Sequence, residues 1–197
     1  MKAIALNATL KSGADRSKSS TGHMLGLIAS QLQRHDVGCE IVDLAEHTIK
    51  PGVTSDEGEG DEWPMIREKI LGANILILGT PIWLGQPSSV CKRALERMNA
   101  FMSETDDQGR MVAAVAVVGN EDGAHHVSAE LYQGLNDIGF TLAPNAVAYW
   151  VGEAMNATNF IDLAETPEKV QTTIDMMVRN TVHLARQIEA NPYPGTK

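Results

Sequence analysis

Cysteine is almost missing from this 197-residue chain. Its two copies, Cys39 and Cys91, are too few for a disulfide framework or a four-thiolate metal site. No apolar run approaches the ~20 residues that a membrane span requires. The opening MKAIALNATLKSG has too short an apolar run, and no cleavage-like end, for a secretory signal, which predicts a cytoplasmic protein. Basic excess is missing as well. Sixteen Lys and Arg against 25 Asp and Glu leave a formal charge of −9. That is the reverse of the clustered basic face that a nucleic-acid partner selects. Neither G-x-G-x-x-G nor G-x-x-x-x-G-K-[ST] occurs, so the dinucleotide and P-loop nucleotide fingerprints are both excluded.

What is present is a core of ordinary size: 43% of residues are hydrophobic, which excludes disorder. The length predicts one domain over residues 1–190, with a frayed, flexible tail over 191–197. Apolar runs at 3–6, 40–43, 75–78, 111–118 and 146–151 recur along the chain. The strongest do not alternate with polar residues, as expected of strands buried on both faces. Stretches 21–35, 62–71, 88–101 and 127–138 carry helical spacing between them. A last helix starts at Thr166-Pro167-Glu168 and carries the stripe Val170, Ile174, Met177, Val178, Thr181, Ala185 and Ile188. Five strands alternating with five helices predict an α/β three-layer sandwich around a parallel sheet. Residues 50–61 read as a loop, and the acidic run 56–62 as its solvated face.

In open α/β sheets a ligand sits beyond the carboxyl ends of the strands. The first such loop holds Thr9, Lys11, Ser12, Arg16, Ser17, Lys18, Ser19, Ser20 and Thr21. Hydroxyls and cations running into a helix N-terminus make an anion site, or simply cap the helix. The second loop, Gly79-Thr80-Pro81-Ile82-Trp83-Leu84-Gly85, offers a stiff turn and a large indole face. That face suits a planar heterocycle or a core contact.

These loops together resemble those of the flavodoxin-like NAD(P)H-dependent FMN reductases, a group that includes quinone and azo-compound reductases. Asn7-Ala8-Thr9-Leu10-Lys11 followed by Ser19-Ser20-Thr21 is similar to the family's N-G-S-P-R loop and G-N-T turn. Residues 80–85 are similar to its T-P-[IV]-[YW]-x-[GN] loop, and Val118-Gly119-Asn120-Glu121-Asp122-Gly123-Ala124-His125 to its third loop. The likeness runs from Lys2 to about Glu189. It implies a five-stranded sheet of order 2-1-3-4-5, with FMN as cofactor and NADPH or NADH as electron donor.

The resemblance implies that Thr9, Ser19, Ser20 and Thr21 hold the FMN phosphate with Lys11. It implies that Pro81, Ile82, Trp83, Leu84 and Gly85 border the ring, and that Gly119, Asn120, Glu121, Asp122 and His125 form the third loop around it. Backbone N–H groups of Leu84, Gly85, Asn120 and Glu121 would bond the pyrimidine edge and raise the potential as charge gathers there. The family's ping-pong chemistry passes hydride through flavin N5 to a quinone-like or other small acceptor, in a homodimer or homotetramer. Two departures stand out. Ala8 replaces a glycine, and the first loop is about five residues longer than usual. Arg16 and Lys18 in that longer loop contact phosphate or pyridine nucleotide, or only solvate the loop. Together with Lys11 they favour NADPH. The cysteines of the family's iron–sulfur branch are missing after the second strand.

No catalytic triad is expected where a flavin performs the chemistry. His125 either donates a proton to the acceptor or packs as an ordinary side chain beside His126. Cys91 reads as core. Trp150 and Met155 line a substrate pocket or pack at a sheet edge. The alternative function is a flavodoxin-like electron carrier without turnover of its own, which the acidic charge allows.

Overall fold

The computed structural model describes residues 1–154 and 156–194. Strands β1 (Lys2–Asn7), β2 (Gly38–Asp43), β3 (Ile75–Trp83), β4 (Gln86–Pro87), β5 (Val112–Gly119) and β6 (Thr141–Val151) alternate with helices. The helices are α1 (Ser20–Gln33), α2 (Trp63–Leu71), α3 (Ser89–Met98), α4 (Phe101–Glu104), α5 (Ala124–Ile138) and α6 (Glu168–Ala190). The sheet order is β2-β1-β3-β5-β6, all parallel, and β4 folds back antiparallel on β3. This is the flavodoxin-like order, with the two-residue β4 as an unforeseen addition.

Each central strand divides its side chains between two cores. Ile4 and Leu6, Leu76 and Leu78, and Val115 and Val117 face α2, α3 and α5. Ala3 and Ala5, Ile75 and Ile77, and Ala114 and Ala116 face α1 and α6. The second face is alanine-rich, and together with Ile75 and Ile77 it packs against Met24, Ile28, Ile174 and Met177. Burial on both faces is the reason these runs read as continuously apolar.

Three boundaries differ from the sequence reading. β6 begins at Thr141, five residues early, because a bulge opposite Ala113/Val115 absorbs Pro144 and the left-handed Asn145 (φ +57°). Both residues suit an edge strand, where irregularity discourages pairing with another chain. α5 starts at Ala124 rather than near Val127, and the predicted helix 88–101 breaks after Met98 before the short α4.

The acidic loop also departs from the expected solvated form. The side chains of Asp61 and Arg97 are both fully buried, with Nη2 to Oδ2 at 2.6 Å. Arg97 further donates to Asp61 Oδ1 (3.1 Å) and to the carbonyls of Lys50 (3.0 Å) and Thr54 (2.9 Å). Asp61 in turn accepts from the backbone N–H of Glu57 at 2.9 Å and of Lys50 and Trp63 at 3.3 Å. The guanidinium lies 5.7 Å from the Trp63 ring centroid. One arginine from α3 thus gathers loop 50–61 beneath it. A charged residue in the stripe of α3 signalled none of this, since a helix-face arginine usually points to water.

Burial alone would raise the Asp61 carboxyl, but hydrogen bonds from Arg97 and from three N–H groups hold it well below the ordinary carboxylate range. Its stabilising effect is therefore complete above pH of about 4 and is lost as pH falls toward the folded value. Asp61→Asn leaves Arg97 buried without its counter-charge and should cost about 3–5 kcal/mol in urea unfolding at pH 7. The variant's stability should also fall less steeply than the wild type's below pH of about 4. A wild-type-like unfolding curve would show that the pair does not hold the loop.

Candidate functional site

At the carboxyl ends of β1, β3, β5 and β6 the loops enclose a cavity of about 300 Å³. Ten of the sequence-predicted site residues line it: Thr9, Lys11, Ser20 and Thr21 at one end, and Pro81, Ile82, Trp83, Gly119, Asn120 and Glu121 at the other. Ser19, Leu84, Gly85, Asp122 and His125 stand outside its lining. A larger open groove of about 1080 Å³ lies between α3 and α5 and includes Gln86 and Pro87 of β4 in its lining.

The polar end is built on the start of α1. The Ser19 side chain caps the helix, its Oγ accepting from Gly22 N–H at 2.9 Å. Gly22 is fixed by space: a Cβ there would lie 3.0 Å from Asn7 Nδ2. First-turn N–H groups at Ser20 and Thr21 have no intrahelical acceptor, which with the helix dipole favours an anion. Ser20 Oγ accepts from Ile161 N–H at 3.3 Å, which leaves the hydroxyl hydrogen for another acceptor. Thr9 and Thr21 are buried.

The cations of the long first loop take separate partners. Arg16 Nε lies 3.5 Å from Asp43, and Lys18 Nζ 2.8 Å from Asp15, on the 3-10 turn Gly13–Lys18. Lys11 Nζ donates instead to a carbonyl, that of Lys18, at 2.7 Å. Of the three, Lys11 is the one that lines the cavity.

The flat end is carried by the β3–β4 hairpin. Its turn residues Leu84 and Gly85 both have positive φ, +53° and +73°, between the pair Trp83 and Gln86. A two-residue loop with both residues left-handed matches the twist of a hairpin, but it strains any residue with a Cβ. Trp83 is 54% exposed and Leu84 91%. Trp83 is therefore a wall of the cavity and not a core anchor. Glu121 reaches across from the β5 loop: Oε1 accepts from Leu84 N–H at 2.9 Å and Oε2 from Gly85 N–H at 3.3 Å. The two turn amides expected to face a ligand edge thus already carry a carboxylate. The loops also touch directly, since a Cβ on Gly119 would lie 2.8 Å from Ile82 and one on Gly123 3.1 Å from Gly85.

A further wall comes from the end of β6 and the residues after it. The Trp150 and Phe160 rings meet at 5.4 Å, tilted by 39°, and Phe160 meets His23 at 5.3 Å. Gly152 admits this arrangement, because a Cβ there would strike Trp150 at 2.6 Å. Asn120 Nδ2 donates to the Asn156 carbonyl at 3.3 Å, and Asn159 and Asp162 form a capping box around the turn Phe160–Asp162. Trp150, Asn159 and Phe160 line the cavity. The last two were not foreseen from sequence, and N-x-x-D at 159–162 was the signal for them. Met155 lies outside the described residues.

The remaining candidates resolve by contact. His125 Nε2 lies 3.2 Å from Tyr149 Oη with the rings edge to face, and His126 Nε2 lies 3.3 Å from Glu130. Cys91 is buried in α3, and burial pushes its thiol up to about 12. Among the described residues, no group of three or more His, Cys, Asp or Glu is placed to hold a metal ion. Among the same residues, no helix is long and apolar enough to cross a membrane.

Residues 1–156 match the family described as NADPH-dependent FMN reductase. A Streptomyces davaonensis relative, 8-demethyl-8-aminoriboflavin-5′-phosphate synthase, is 33% identical over 98% of this chain and 80% of its own. The solved structure of RosB with its bound intermediate, 8-demethyl-8-formylriboflavin-5′-phosphate, superposes with a TM-score of 0.87. It is 31% identical and covers 98% of this chain and 82% of that one. A Mycobacterium bovis relative named a divalent metal cation transporter is 33% identical over 96% of this chain, which spans only 29% of that protein. A Staphylococcus aureus FMN-dependent NADPH-azoreductase is 28% identical over 57% of this chain and 63% of its own length.

Asn tolerates positive φ and is favoured before Gly in such hairpin turns. With the Leu84 side chain almost wholly in solvent, Leu84→Asn should raise the unfolding free energy by about 0.5–1 kcal/mol. Urea denaturation checks this, and an equal or lower stability would contradict the strained turn.

Proposed function

Because the chain belongs to the NADPH-dependent FMN reductase family, with FMN as cofactor and NAD(P)H-linked hydride transfer as its chemistry, we propose that it is a ping-pong oxidoreductase. NADPH, or NADH, reduces the flavin and leaves; a quinone-like or other small acceptor then takes the hydride from the same ring face. The observation that carries this reading is a single cavity lined by hydroxyls, an ammonium group and the first turn of α1 on one side and by Pro81, Ile82 and Trp83, with Asn120 and Glu121, on the other. That donor set fits a phosphate and a planar ring on one molecule.

Thr9, Lys11, Ser20 and Thr21 hold the phosphate, and Ser19 keeps the helix start in shape for it. Pro81, Ile82 and Trp83 cover one side of the ring, while Gly119, Asn120 and Glu121 close its edge, with Leu84, Gly85 and Asp122 supporting these loops from outside. FMN supplies the hydride-carrying ring; the chain binds it, orients it and excludes water. His125, held against Tyr149, is a proton donor only if an acceptor reaches it from above the cavity. Residues 1–190 work as one domain, in the cytoplasm, as a homodimer or homotetramer.

A second reading makes the flavin phosphate a substrate. It is favoured by the likeness to RosB, a protein solved with a modified riboflavin phosphate bound. One experiment separates these. The chain is loaded with FMN, freed of oxygen and mixed with NADPH while the flavin band is followed. Bleaching that a quinone reverses supports the reductase. A flavin that stays yellow favours an electron carrier, and a changed flavin mass after aerobic incubation favours the substrate reading.

The double variant Ser20→Ala, Thr21→Ala loses two hydroxyl contacts to the phosphate. FMN binding should weaken by about 1–3 kcal/mol while riboflavin, without phosphate, binds as before. Fluorescence titration with both flavins reads the difference, and equal losses for the two would remove these hydroxyls from the phosphate site.

A further inference from the structure

The left-handed pair Leu84–Gly85 presents two successive backbone N–H groups to a single acceptor, the arrangement of a small anion nest. A carboxylate of the same chain fills it, with Glu121 oxygens at 2.9 and 3.3 Å from the two nitrogens. Glu121 lines the cavity beside Trp83, the residue that leads into the turn. These loops also touch apart from the carboxylate, since Gly123 abuts Gly85 and Gly119 abuts Ile82. The Glu121 bonds are therefore not the only contact between these loops. Their consequence is electrostatic: the two turn amides, which stand outside the cavity lining, are saturated by a carboxylate that itself lines the cavity.

We propose that the Glu121 side chain holds down the reduction potential of the bound flavin by occupying the N–H groups of Leu84 and Gly85. The inference rests on the flavin reading above. Two electrons and one proton convert the oxidised ring to a reduced form that carries negative charge along its pyrimidine edge at neutral pH. Unoccupied N–H donors near that edge bind the reduced form more tightly than the oxidised one and raise the potential. Saturated donors give no such preference, and the neighbouring carboxylate repels the added charge. The reduced flavin thereby becomes a stronger donor to whatever acceptor follows.

The test is an anaerobic spectroelectrochemical titration of the FMN-loaded full chain. Glu121→Ala uncovers both donors and should shift the affinity ratio of reduced to oxidised FMN about tenfold, a rise of about 30 mV for a two-electron couple. Glu121→Gln keeps one side-chain carbonyl for the two donors and should rise by part of that amount. Unchanged or lowered potentials in the two variants overturn the proposal. So does loss of lumiflavin binding in both, which would make Glu121 a brace for the ring wall. Wild-type protein that binds neither FMN nor lumiflavin would overturn the flavin reading itself, a different result from either.

Discussion

A parallel sheet covered on both faces leaves its strands no surface of their own. Leu6 and Leu78 are committed to one core, and Ala5 and Ile77 to the other. A polar ligand site on either face would remove apolar burial of roughly 1.5–3 kcal/mol for each side chain replaced. Only strand ends remain, and parallel strands bring all their carboxyl ends to one rim. Thr9, Pro81, Gly119 and Gly152 follow or end four different strands, yet they converge there without any sequence proximity.

Convergence alone would give four mobile loops, and the backbone prevents that. Ala8 N–H donates to the Gly79 carbonyl at 2.8 Å, and Gly152 N–H to the Gly119 carbonyl at 2.9 Å. Ser88 Oγ donates to the Ala8 carbonyl at 2.6 Å. Neighbouring loops are joined in pairs across the rim, and Ile161 N–H on Ser20 Oγ joins the last to the first. A cavity whose walls are bonded to one another before a ligand arrives loses less entropy on binding than one assembled from free loops.

How much of this could be read from the sequence follows from the range of each interaction. Continuous apolar runs report local burial, so the strands at 75–78 and 111–118, the stripe of α6 and the sheet's place in the fold were all legible. The placement of short loop stretches at the strand ends was legible too, as at Ser20–Thr21 and Pro81–Trp83, which line one cavity. What escaped was pairing across distance. Nothing near Arg97 announces Asp61, and nothing near Glu121 announces the amides of Leu84 and Gly85, because a backbone N–H has no letter in the sequence. The start of β6 escaped for a related reason: Pro144 and Asn145 look like a loop, and only the partner strand shows that they form a bulge.

The same distinction decides which charges of the first loop matter. By composition, Lys11, Arg16 and Lys18 are equal candidates for an anion. In the fold, Arg16 and Lys18 sit beside Asp43 and Asp15. An incoming phosphate would have to compete with a carboxylate for either of them. Lys11 Nζ hydrogen-bonds a carbonyl oxygen, a neutral acceptor that a dianion displaces readily, and Asp15 and Asp162 are near enough to feel its charge. Thr9 Oγ1 accepts the Lys11 N–H at 3.3 Å and keeps that residue at the cavity wall. The added length of this loop thus supplies acidic partners for its extra cations as well as the cations themselves. It leaves the Lys11 ammonium group at the cavity wall, where the proposed function puts a phosphate, in a chain whose net charge is −9.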